Sequence, residues 1–96
     1  GLAMAEDKVI CVEVDGIPAT IDREATGDIE VMEMLGDMQG GNVLVLPRLM
    51  RAVFGEEQYG AIKRSLRGDS GHTSAADMAR FLSKAMRQAG EQAKNS

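Results

Sequence analysis

Residues 8–22, KVICVEVDGIPATID, decide the fold. Val9, Cys11 and Glu13 alternate with Ile10, Val12 and Val14, a period of two built from strong strand formers. Asp15-Gly16 then supplies the two-residue turn of a hairpin, and the return run IPATI carries Pro18, which cannot donate to a ladder and so belongs on an edge. An isolated two-stranded hairpin is marginal in water. The apolar face made by Ile10, Val12 and Val14 therefore needs cover from the rest of the chain.

That cover reads as helical. DREATGDIEVMEMLGDMQGG has Asp28 or Thr26 as a capping residue and stops at Gly40-Gly41, which predicts a first helix over about 28–39. In NVLVLPRLMRAVFG, Asn42 is a capping candidate and Pro47 is tolerated only near a first turn, so a second helix is expected over 46–54, with residues 43–46 extended or turning. Glu56 and Glu57 suit the N-terminus of a third helix, and Lys63, Arg64 and Arg67 suit its C-terminus, before Gly68 ends it. Ser74 and Asp77 read as a capping box opening a fourth helix that runs to Gly90. The fold expected is α+β and mostly helical, an N-terminal β-hairpin covered by about four helices. It forms one domain over residues 8–90, with residues 1–7 read as a disordered start or a cloning scar and 91–96 as a disordered polar tail.

The chain has 96 residues, of which 44% are hydrophobic but only 3% aromatic, so its core must come from aliphatic side chains and methionines. One cysteine excludes an internal disulfide and, with one histidine, leaves too few soft ligands for structural zinc. The remaining candidates for nucleophilic chemistry are Cys11, expected to be a buried strand thiol, and His72 in a loop. GDMQGGN lacks the Lys-Ser/Thr of a phosphate loop, and RGDSGHTSAADM lacks the spaced oxygens and closing Glu of a calcium loop. Neither an enzyme, nor a cofactor, nor a metal is expected. No apolar run approaches the roughly 20 residues that span a bilayer, which points to a cytoplasmic chain.

Residues 1–47 hold ten acids and two bases, a net of −8, whereas residues 48–96 hold five acids and nine bases, a net of +4. This asymmetry suggests weak association between copies, with Asp28, Glu30, Glu33 and Asp37 meeting Arg80, Lys84 and Arg87. On a helical wheel the fourth helix gathers Ala75, Met78, Ala79, Phe81, Leu82, Ala85, Met86 and Ala89 in one core-facing arc, with Arg80, Lys84 and Arg87 opposite. The third has only the narrow stripe Tyr59, Ile62 and Leu66 and should lie on the surface. The first is apolar almost all round. Its residues divide into Ile29, Met32 and Leu35 on one side and Val31, Met34 and Met38 on the other, the second set being expected to form a partner-binding patch, since methionine adapts to irregular partners. The alternative is a helix sandwiched between the hairpin and the fourth helix, with both sides buried.

The hairpin with DG at its turn, the acidic helix DIEVMEML, then FGEEQYGAIKRSL, a glycine-containing link, TSAADMARFLSKAM and AG together resemble the tail assembly chaperones of long-tailed, siphovirus-type bacteriophages and prophages. FGEEQY and the helix after it carry most of the likeness, which spans about residues 8–90. The resemblance implies a small, mostly helical, non-enzymatic protein of the bacterial cytoplasm. Such a protein keeps the tape measure protein soluble while tail tube subunits polymerise around it. It also implies a gene that yields a minor product lengthened at its C-terminus by frameshifting, beginning here after Gly90. Aromatic anchors, common on such surfaces, are scarce in this chain. A second reading takes the helices at 56–67 and 74–89 as a small DNA-binding regulator or adaptor. The net charge of −4 and the long link between those helices count against it.

Overall fold

The chain reverses at Asp15 and Gly16, whose φ angles of 52° and 84° are both in the left-handed region, as a two-residue hairpin turn requires. The turn joins β1 (Val9–Val14) to β2 (Ile17–Asp22), paired antiparallel with Ile10 opposite Ile21 and Glu13 opposite Pro18. This computed structural model describes the backbone of residues 8–95 and the side chains of residues 8–92. The expectations for residues 1–7 fall outside that range.

After β2, Asp22 accepts from Glu24 N and opens a 3-10 turn over Arg23–Gly27. The helices follow as α1 (Ile29–Gln39), α2 (Leu46–Phe54), α3 (Glu56–Ser65) and α4 (Ala75–Asn95), with a 3-10 turn over Val43–Val45 leading into α2. Asp28 is the cap of α1: its Oδ1 accepts from Glu30 N at 2.7 Å and Val31 N at 3.2 Å. Asp28→Ala should lower stability by about 1 kcal/mol in chemical denaturation, and Asp28→Asn should recover most of that loss. Pro47 lies in the first turn of α2, where its missing N–H is harmless. Between α2 and α3 the chain turns on Gly55 alone, with φ 85° and ψ 161°, a conformation that a Cβ would strain.

The core is aliphatic, as the composition requires. Ile10, Val12, Val14, Ala19 and Ile21 form the inner face of the hairpin, and Leu49, Met50 and Val53 of α2 and Phe81, Leu82 and Ala85 of α4 are buried with them. Phe54 and Phe81 meet edge to face with ring centroids 5.7 Å apart. Tyr59 and Ile62 bury the narrow stripe of α3.

Two expectations change here. The fourth helix does not stop at Gly90 but continues to Asn95. A helical glycine costs about 1 kcal/mol relative to alanine. Ala89 is buried against the core, and the turns on either side of Gly90 are tied to the hairpin, each hydrogen bond contributing about 0.5–1.5 kcal/mol. The Cys11 thiol is exposed, because odd-numbered residues of β1 point away from the helices.

Both outer edges of the ribbon are capped by glutamine side chains. Gln58 of α3 accepts from Thr20 N at 2.8 Å and donates to Thr20 O at 2.8 Å. Gln88 of α4 accepts from Glu13 N at 3.0 Å and donates to Glu13 O at 2.7 Å, while Gln92 donates to Cys11 O at 2.6 Å. Gln58 and Gln88 thus each satisfy both the donor and the acceptor that a neighbouring strand would otherwise take, and Gln92 satisfies one further acceptor.

Candidate interaction surface

Helix α1 has more apolar residues than one buried face can use, and the structure settles which of them point inward. Val31 is 2% exposed, and Met34, Leu35 and Met38 are half-buried against the core, whereas Ile29 and Met32 are 67% and 55% exposed. The orientation expected from the sequence is therefore reversed for Ile29, Met32, Val31, Met34 and Met38, whereas Leu35 packs inward as expected. At 100° per residue Val31, Met34, Leu35 and Met38 fall within an arc of about 100°, the width that one-sided burial needs, while Ile29, Met32 and Leu35 drift around the helix. The tighter stripe is the one that packs. Of the expected partner-binding residues, Val31 is unavailable to a partner and Met34 and Met38 are available only along their edges.

The ridge Ile29, Met32, Leu35 and Met38 instead descends from solvent into a groove between α1 and α4. Leu35 and Met38 form one wall and Ala79, Leu82 and Met86 the other, enclosing about 360 Å³. Gln39 and Ser83 are its polar lining, and no charged side chain among the described residues lines it. A second apolar pocket of about 280 Å³ lies beyond the end of α1, lined by Leu44, Leu46, Pro47, Tyr59 and Met78. Lys63 is the sole charge in its lining: the Nζ rests 4.4 Å from the centre of the Tyr59 ring and meets no carboxylate among the described residues. Leu44, at the rim, is 86% exposed.

The charged residues expected to join copies divide unevenly. Arg80 pairs with Asp77 at 2.8 Å and Lys84 with Asp15 at 3.2 Å, so two of the three bases already meet acids within the chain, and Arg87 is exposed. Asp28 is occupied as a cap. Glu30, Glu33 and Asp37 are exposed and meet no base among the described residues.

Cys11 and His72 are both exposed and share no hydrogen bond, and no group of three or more His, Cys, Asp or Glu among the described residues is placed to hold a metal ion. Among the same residues, no helix is long and apolar enough to cross a membrane. No family model, no curated protein and no solved structure matches this chain.

Sequence reasoning missed both the groove and the Lys63 pocket. The groove depends on how far α1 stands from α4, which no local pattern encodes. A signal for the pocket was present in Val43-Leu44: two large apolar residues in a short capped turn, outside any amphipathic helix, have no buried face assigned to them.

Proposed function

We propose that the chain acts stoichiometrically, without catalysis, as a tail assembly chaperone of a long-tailed bacteriophage or prophage. It binds apolar helical segments of the tape measure protein in the host cytoplasm and releases them as the tail tube assembles. The observation that carries the reading is the α1–α4 groove, about 360 Å³ in volume, with flexible Met38 and Met86 on opposite walls and no charge in its lining among the described residues. A chaperone for a long client of varied sequence needs a surface that repacks around different side chains, and methionine supplies that adaptability. The hairpin-plus-four-helix order, and the FGEEQY stretch opening α3, support the same assignment. The DNA-reading alternative would need free cations along α4, and Arg80 and Lys84 there are already paired with Asp77 and Asp15.

The test replaces Met38 and Met86 together by glutamine. Both side chains are half-buried at the groove, so the domain should retain its helices by circular dichroism. On co-expression with the tape measure protein, the soluble fraction of that client should fall several-fold relative to the parent. Full retention of the client by the folded variant would overturn the assignment of the groove. A parent chain unable to keep the tape measure protein soluble would overturn the function itself. The gene's position gives an independent check, since the reading places it between the genes of a tail tube protein and a very long helical protein.

A further inference from the structure

We propose that copies of this chain join head to tail, the exposed Ile29–Met32 ridge of one copy entering the apolar pocket beside Lys63 of the next. The proposal does not depend on the client groove, which takes up the ridge only beyond Met32, at Leu35 and Met38. Two unlike surfaces of one molecule are each incomplete, and each supplies what the other lacks. Ile29 and Met32 are large aliphatic side chains more than half exposed, and beside them Glu30 and Glu33 are carboxylates without a base among the described residues. The pocket offers Leu44, Leu46, Pro47 and Met78 as apolar lining, together with one cation, Lys63, held on the Tyr59 ring without a carboxylate.

An apolar residue followed directly by an acid is the chemistry this pocket would select, and the chain repeats it twice in one helical turn, as Ile29-Glu30 and Met32-Glu33. Docking would cover much of the large apolar surface left exposed on the helical side, Leu44 and Val43 included. It would also bring the acidic first half of one copy against the basic second half of the next. The contact revises the one expected from the sequence. Its acids are among those anticipated, but the receiving cation is Lys63 and not Arg80 or Lys84, which are engaged within their own chain. Because ridge and pocket are different patches, the interface is heterologous and does not close at a dimer. Growth continues until a ring closes or the ends remain open.

Sedimentation velocity on the full chain, from micromolar to millimolar protein, tests this. The parent should grow past dimer with concentration, and growth should weaken between ~0.02 M and ~0.5 M salt as exposed charges are screened. Lys63→Glu and Glu33→Lys should each weaken association by roughly tenfold, because each places like charges across the contact. Mixing these two variants should restore growth, since the altered ridge of one suits the altered pocket of the other. Met32→Gln should weaken association at both salt concentrations, reporting the apolar part of the contact. All these side chains lie at the surface or pocket rim, and circular dichroism checks that each variant is folded. A parent that is monomeric throughout, a parent that stops at dimer, or a mixture that fails to recover would each overturn the proposal.

Discussion

Phe81→Ala should leave the protein melting far below the parent. Truncating a buried phenylalanine costs about 3–5 kcal/mol, from lost transfer energy and from the cavity left behind. Domains of this kind are stable by only about 5–15 kcal/mol in total. At roughly 4–8 °C per kcal/mol for a domain of this size, the fall in Tm is on the order of 15–30 °C. The site has little means of collapsing around the loss. Phe81 is buried among the hairpin's inner residues and its edge-to-face partner Phe54, and the chain has two phenylalanines, one tyrosine and no tryptophan. Its aliphatic neighbours are already packed and cannot fill a ring-sized void without leaving their rotamers. Leu82→Asp, one residue along the same helix, should do comparable damage by placing an unpaired carboxylate at a buried site. Thermal melts followed by circular dichroism check both. A Phe81→Ala protein melting within about 5 °C of the parent would mean that the ring contributes far less than buried aromatics generally do.

Much of this arrangement is legible in the sequence, because it is encoded by local chemistry. Strict alternation in β1, the Asp15-Gly16 turn, the caps at Asp28 and Ser74, and Gly55 between two helical runs each act over a few residues and each hold in the structure. The same holds for most of the inward face of α4, where Met78, Phe81, Leu82, Ala85 and Ala89 are buried, while Ala79 and Met86 are half-buried and Ala75 in the first turn is exposed. Features set by contacts between distant segments are different. The continuation of α4 past Gly90 depends on Gln88 and Gln92 reaching backbone groups of β1, 75 and 81 positions away. A glycine followed by polar residues gives no hint of that. The orientation of α1 was legible in principle, since Val31, Met34, Leu35 and Met38 form the tighter arc. Treating methionine as a sign of a partner surface outweighed that geometry, although methionine also fills ordinary cores.

Removing the two amide clamps together, as Gln58→Ala with Gln88→Ala, should turn a discrete protein into one that pairs through its strand edges. A two-stranded ribbon has an unpaired outer side on each strand, and such edges recruit further strands unless they are blocked. Here the outward backbone groups of Thr20 and Glu13 are each bound by both ends of a primary amide. Pro18 lies in the same outward set and offers no N–H to a neighbour. Clamping costs little and blocks much: a partner strand could not pair with Thr20 or Glu13 without first displacing a glutamine. In the double variant water replaces the amides, so loss of stability should be roughly 2–3 kcal/mol, at the low end of the roughly 0.5–1.5 kcal/mol that each exposed hydrogen bond contributes. Association should change far more. Size-exclusion chromatography with light scattering should show concentration-dependent assembly, with a gain of β signal in circular dichroism. Since the new contacts are backbone hydrogen bonds, this assembly should persist at high salt, unlike contacts that depend on Lys63 and Glu33. Gln58→Glu with Gln88→Glu gives a graded control, because a carboxylate still accepts from the N–H but cannot donate to the carbonyl. Its added negative charge also disfavours edge pairing, so it should assemble less than the alanine variant. A double alanine variant indistinguishable from the parent in size and β signal would show that the amides fasten α3 and α4 to the hairpin without guarding its edges.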